Sequence, residues 1–262
     1  RVPFLSLPAI CLAMIHRALA RLHPEPDLSV EVAAAGTSLA ELTSAGSTVA
    51  DLKAAGLQRV NISLDSLRVD RFEELTRRDE LHRVLEGIDA AKAAGFGPVK
   101  INVVVMKGIN DDEVLDFAHF GRDNDVVVRF IEFMPLDADE IWNIDRVLTQ
   151  DEILTTLRTE FELEPVERSS APASRWRYTD GGGEIGVVAS VSYSFCDTCD
   201  RVRITADGQF RNCLFATDET DVRALLRDGS SDNVVADALA RSVASKWAGH
   251  QINQVHFIRP RR

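Results

Sequence analysis

Between residues 28 and 133 short apolar runs alternate with helix-like stretches, and this alternation restricts the chain to few folds. Leu28 to Ala34 reads as a strand after the Pro24-Glu25-Pro26 break, and Thr48 to Ala55 as a short helix stopped by Gly56. Arg59 to Asp65 alternates Val60, Ile62 and Leu64 with Asn61, Ser63 and Asp65, the period of a strand with two unlike faces. A helix over Leu81 to Ala94, stopped by Gly95, leads to a Val- and Ile-rich strand over Val99 to Met106. Asn110 would cap the next helix, with Asp111, Asp112 and Glu113 matching its dipole. Val126 to Phe133, ended by Pro135, is a further strand. Strands separated by helices require a parallel sheet, so the expected class is α/β.

The later sequence differs in character. Thr149 and Glu152 have capping-box spacing and open a helix to about Phe161. Glu167 to Ser174 reads as a linker, Gly181-Gly182-Gly183 as a turn, and Glu184 to Tyr193 as a strand. Val202 to Phe215 reads as a hairpin turning at Asp207-Gly208. Two helices, about Asp218 to Arg227 and Asp232 to Lys246, follow. The expected division is residues 1–165 and 166–262.

At 262 residues and 45% hydrophobic the chain can bury a substantial core. Its net charge of −11 argues against a broad nucleic-acid or anionic-membrane surface, so an anionic ligand needs a local basic cluster. Phe4 to Ile15 is apolar, but Pro3 and Pro8 interrupt it; a helix over about Ala9 to Leu22 is the better reading than a targeting or membrane segment. Three of the four cysteines, Cys196, Cys199 and Cys213, fall around the hairpin, which suits a metal centre in a reducing compartment, the cytoplasm, better than disulfides.

The C-x-x-C pair reaches one centre from a single turn, and the hairpin returns Cys213 opposite about Val202 or Arg203. Three thiolates suit either zinc or an iron–sulfur cluster. A structural zinc site would need a fourth ligand such as Cys11, His250 or His256; otherwise the site is open to a substrate. Arg201 and Arg203 share a strand face beside it and could clamp a phosphate-bearing anion. Ser63, Asp65, Lys100, Asn102, Arg129 and Glu132 are polar residues inside apolar strands, and alternation would turn some of them toward an interior site.

Four segments together resemble the GTP 3',8-cyclase family of radical S-adenosylmethionine (SAM) enzymes, which begin molybdenum cofactor synthesis. They are Val60-Asn61-Ile62-Ser63-Leu64-Asp65-Ser66, Pro98-Val99-Lys100-Ile101-Asn102-Val103-Val104, Arg129-Phe130-Ile131-Glu132-Phe133-Met134-Pro135, and the cysteine segment Phe195 to Phe215. The resemblance runs from about Ala50 to Pro260. It implies that Cys196, Cys199 and Cys213 bind a C-terminal 4Fe-4S cluster whose open iron contacts the GTP base. It also implies that Lys100, Arg201, Val202 and Arg203 hold GTP, that Ser63 and Met134 contact SAM, and that Arg129 is an active-site arginine near the substrate.

The departures are specific. The family's CxxxCxxC loop, which holds a second 4Fe-4S cluster that cleaves SAM, is absent, and Cys11 alone cannot replace it. A GGEP motif is absent, and Ala33-Ala34-Ala35-Gly36 stands where the family shows Thr-Thr-Asn-Gly. The sequence ends at Arg259-Pro260-Arg261-Arg262 rather than at a Gly-Gly tail. The expected fold is therefore a partial radical-SAM (βα) barrel lacking its N-terminal units, with a C-terminal α+β iron–sulfur extension. Such a chain would not cleave SAM by itself. Two other classes remain open: a non-catalytic GTP- and cluster-binding paralogue, and a structural zinc module. Family members often pair, which leaves a homodimer open.

Overall fold

The computed structural model describes residues 29–32, 49–54, 57–136, 142–167, 171–199, 201–205, 207–216 and 218–246. The expected helix over Ala9 to Leu22, the Ala33 to Gly36 segment, Cys11, His250, His256 and the Arg259 to Arg262 end lie outside them.

Five strands run parallel in neighbouring pairs: β1 (Ser29–Val32), β2 (Arg59–Ser63), β3 (Lys100–Val105), β4 (Val127–Glu132) and β7 (Glu184–Val188). Antiparallel β6 (Ser174–Tyr178) and β5 (Leu163–Val166) extend the sheet, giving the order β1-β2-β3-β4-β7-β6-β5. The α/β class with a parallel sheet is therefore correct. The expected division after residue 165 falls inside β5, and β6 and β7 carry the same sheet onward.

The intervening helices are α1 (Val49–Ala54), α2 (Val69–Thr76), α3 (Leu81–Ala93), α4 (Val114–Asp123) and α5 (Gln150–Leu157). One core joins Val60, Ile62, Ile101, Val103, Val128, Phe130, Ile185 and Val187 of the strands to Val84 and Ile88 of α3, Phe117 of α4, and Ile153 and Leu157 of α5. Residues two apart share a strand face. The opposite face thus carries Asn61, Ser63, Lys100, Asn102 and Arg129, the polar residues that break the apolar runs, together with Ile131.

Gly95 ends α3 as expected, at φ 78°. Its N–H donates to the Lys92 carbonyl (2.9 Å) and that of Phe96 to the Ala91 carbonyl (3.1 Å), the paired bonds of a Schellman end. The Thr149–Glu152 capping box forms with both reciprocal bonds. Its helix stops at Leu157 rather than about Phe161: past it the N–H groups of Thr159 and Glu160 reach carbonyls three residues back (3.1 and 3.2 Å), and the Phe161 ring packs edge-on against Tyr178 and His119, with centroids 5.2 and 5.1 Å away.

The expected cap at Asn110 is replaced by a different role. Its side chain makes no cap bond; it accepts from the Met106 N–H (2.7 Å) and donates to the carbonyls of Asp65 (2.7 Å) and Val104 (2.9 Å). Asp65 in turn accepts from the Val104 N–H at 2.8 Å, and burial pushes its carboxyl up to about 6. These two side chains fasten the ends of β2 and β3 together. Glu113 is also fully buried, and it accepts from Ser66 Oγ (2.8 Å), the Leu67 N–H (2.7 Å) and Arg71 (2.6 Å) rather than serving a helix end.

Strands β5 and β6 were not expected: β5 fills the stretch between the expected helix end at about Phe161 and the Glu167 to Ser174 linker, and β6 begins at the linker's last residue. Pro165 lies in β5, at the edge of the sheet, where a missing N–H costs no ladder bond. In β6, Trp176 and Tyr178 are buried while Arg175 and Arg177 point away, a period of two.

A second sheet has the order β10-β9-β8, from β8 (Arg203–Ile204), β9 (Gln209–Arg211) and β10 (Thr220–Asp221). Gly208 turns the hairpin at φ 85°, a backbone state that favours glycine. Its carbonyl accepts from the N–H groups of Val222 (3.1 Å) and Arg223 (3.3 Å) at the start of α6 (Val222–Arg227). A Cβ at Gly208 would lie 2.6 Å from Arg223 Cβ, so both space and φ exclude a side chain there. Helix α7 (Asp232–Ala244) completes the described residues. No helix among them is long and apolar enough to cross a membrane.

Candidate functional site

The polar strand face and the cysteine hairpin enclose one cavity of about 530 Å³. Asn61, Asn102 and Arg129 form its sheet wall. Arg129 lies opposite Asn102 in the β3–β4 register, and its Nε donates to Asn102 Oδ1 at 2.9 Å. Its Nη2 donates to Asn61 Oδ1 at 2.8 Å. On the other side of Arg129 the register brings Gly186 of β7. A Cβ there would press on Arg129 Cγ at 3.1 Å, so the glycine leaves room for the guanidinium stem. Two amide oxygens and a glycine thus fix one arginine across three strands.

The facing wall comes from the hairpin region. Phe195, Cys196, Cys199, Arg201, Arg203 and Cys213 all line the cavity. A single 3₁₀ turn, Cys196–Thr198, sets the C-x-x-C spacing, with the Cys199 N–H 3.3 Å from the Cys196 carbonyl. Arg203 pairs with Arg211 and Ile204 with Phe210. Continuing that register sets Cys213 near Arg201, within one residue of the Val202 or Arg203 that the hairpin length suggested. The turn holds more residues than the two-residue loop assumed: Thr205 still bonds Gln209 across it (2.9 Å). This register brings Cys213 back beside the C-x-x-C pair. Arg201 stacks on Phe195, its guanidinium carbon 4.8 Å from the ring centroid.

The three thiols are half-buried and unbridged. Burial, followed by the nearby Cys213 and Cys199, pushes the Cys196 thiol up. For Cys199 burial acts upward too, but the hydrogen bonds and charge of Arg201 outweigh it and the net shift is down. Among the described residues no three His, Cys, Asp or Glu side chains form a site for a single metal ion. Among the described residues that line the cavity none is acidic, although the chain carries −11 overall, and three of them are arginines.

Of the residues singled out in the sequence, Arg129, Met134, Arg201, Arg203, Cys196, Cys199 and Cys213 come together around this space. Ser63, Lys100 and Val202 are not among its lining residues. Ser63 pairs with Asn102 across β2 and β3, Lys100 precedes Asn102 by two residues on the same face, and Val202 is exposed. Burial and then the neighbouring Arg129 hold the Lys100 ammonium below its usual range. Asn61 was missed as a site residue; its polar place in an apolar strand was the available signal. Glu132 goes to the opposite face and is fully buried. It accepts from the N–H groups of Gln150 (2.8 Å), Val191 (2.7 Å) and Ser192 (2.8 Å), and from Ser192 Oγ. It therefore ties the start of α5 to the loop that runs into Phe195 and Cys196.

The parallel α/β sheet fits a radical-SAM protein, and the three cysteines lie beyond its N-terminal half. The Radical SAM superfamily matches residues 10–121, and Molybdenum Cofactor Synthesis C matches residues 126–252. The chain is 49% identical over 209 residues to GTP 3',8-cyclase of Streptomyces coelicolor, covering 79% of this chain and 61% of that protein. It is 45% identical over 256 residues to GTP 3',8-cyclase 2 of Mycobacterium tuberculosis, covering 94% and 68%. With GTP 3',8-cyclase of Mycolicibacterium smegmatis it shares 43% over 251 residues, covering 94% and 67%. The chain belongs to the GTP 3',8-cyclase family, and it spans about two thirds of the length of these curated relatives.

Proposed function

We propose that the chain forms the substrate-binding part of a GTP 3',8-cyclase, an enzyme of molybdenum cofactor biosynthesis, on a partial radical-SAM barrel with a C-terminal cluster-binding extension. The observation that carries this reading is the meeting of three thiols and three guanidiniums around one cavity.

The donor set fits a 4Fe-4S cluster. A tetrahedral zinc ion with Zn–S bonds near 2.3 Å needs its sulfurs about 3.8 Å apart. Cysteines on a cubane bind separate irons and stand wider, which suits three thiols that line one cavity without forming a single-ion site among the described residues. Cys196, Cys199 and Cys213 would hold three irons and leave the fourth open to the GTP base. When bound, that iron supplies a Lewis-acidic contact that orients the base.

The chain's own residues supply the rest. Arg201 and Arg203, two residues apart on the hairpin, would bind the triphosphate with their planar donor forks, together with the Val202 backbone and Lys100. A partly buried ammonium on Lys100 gains by pairing with phosphate, which returns the charge partner that burial removes. Arg129 is held before substrate arrives by Asn61 and Asn102, so orienting it costs little on binding. It would face the ribose and triphosphate region. Ser63 and Met134 would contact SAM at the ends of β2 and β4.

GTP binding by the Arg203→Leu variant tests this reading. Losing one charge-assisted contact costs about 1.5–3 kcal/mol, so the Kd for GTP should rise roughly 10- to 150-fold while the iron content stays at the wild-type level. Unchanged GTP affinity with an intact cluster would remove the arginine clamp from the account.

A further inference from the structure

Helix α7 ends against the cysteine hairpin at two places. Lys246, two residues past the helix, has its Nζ 3.5 Å from Cys199 Sγ and 2.7 Å from the Arg201 carbonyl oxygen. Asn212, adjacent to Cys213, donates from Nδ2 to the Ser242 carbonyl (2.7 Å) and to Ser245 Oγ (3.1 Å). One helix end therefore holds both arms that carry the cysteines.

We infer that Lys246 is a positioning residue for the C-terminal cluster: its ammonium donates to the Cys199 sulfur and raises the reduction potential of the group held there. The inference rests on the proposed reading of the three cysteines. An ammonium has three donors and no acceptor, so one proton can serve the sulfur and another the Arg201 carbonyl without conflict. The charge is compact and sits directly on a ligand atom. When one electron from an external reductant such as dithionite enters the cluster, net negative charge rises by one. A cation hydrogen-bonded to a ligand sulfur stabilises that reduced form. The second contact fixes the Arg201 backbone, and with it the guanidinium that stacks on Phe195 at the cavity wall. Lys246 thus links cluster electronics to the arginine proposed to hold substrate.

The test uses the full chain, reconstituted with iron and sulfide, in wild-type, Lys246→Met, Lys246→Gln and Lys246→Arg forms. Iron content and the midpoint potential, from an EPR-monitored redox titration, are measured for each. Lys246→Met is expected to retain iron and to lower the one-electron reduction equilibrium about tenfold, which is 59 mV downward. Lys246→Arg should stay near wild type. A merely structural lysine would change iron content but not the potential, so an iron-replete Lys246→Met protein with a wild-type midpoint overturns the inference. If Lys246→Met loads no iron, the Gln and Arg variants decide: a lower midpoint in Gln than in Arg supports a role for charge, and equal midpoints overturn it. A wild-type chain that takes up no cluster overturns the reading of the cysteines, and this inference falls with it.

Discussion

Cys213→Ser is expected to leave the reconstituted chain nearly colourless, with iron falling from about four per chain to a small residue. Cys213 comes from the far arm of the hairpin, while Cys196 and Cys199 share one turn. Removing it leaves two ligands that are adjacent in space and cannot span a cubane. A serine hydroxyl is a hard and weakly acidic donor, and it holds iron–sulfur units far less well than thiolate. Iron and sulfide analysis with the visible spectrum reads the result. Cys11→Ser is the control, since Cys11 is not part of the hairpin, and it should keep full iron. Full iron in Cys213→Ser would mean that the third thiol is not a ligand.

Glu132→Ala is expected to lower stability by about 3 kcal/mol, because it strands buried N–H donors that the carboxylate now satisfies. For a chain of this size that is roughly 6–12 °C in Tm. The effect should not be confined to stability. Val191 and Ser192 start the loop that delivers Phe195 and Cys196 to the cavity, and Glu132 is their anchor. Iron retention after reconstitution should therefore fall together with Tm. Glu132→Gln should behave similarly, since its amide would point a donor at donors. Differential scanning calorimetry and iron analysis on the same preparations check both parts; a variant with wild-type Tm would contradict the anchoring role.

Much of this was legible in the residues. The alternation of Val60, Ile62 and Leu64 with Asn61, Ser63 and Asp65 fixed both a strand and its two faces, because a period of two is a strong local signal. Gly95 and the Thr149–Glu152 pair marked helix ends that formed as local chemistry dictates. The cysteine spacing and the two arginines pointed to one site, and they do share a cavity. What escaped was long-range. Spacing alone puts Glu132 and Arg129, three residues apart in one strand, on opposite faces, but which face meets the helices and which the cavity is decided by the packing of the whole sheet. Asn110 looked like a cap, yet its partners come from β2 and β3 as well as its own turn. The position of Lys246 beside Cys199, 47 residues earlier in the chain, had no local signature at all.

The central claim is an open three-thiolate cluster that takes GTP. The most direct measurement is the EPR spectrum of the reconstituted, reduced chain with and without GTP, on samples assayed for iron, sulfide and zinc. The account predicts about four irons and four sulfides per chain, little zinc, and a spectrum that changes on GTP addition with saturation. Stoichiometric zinc in a colourless protein, or a cluster whose spectrum is indifferent to GTP, would contradict it.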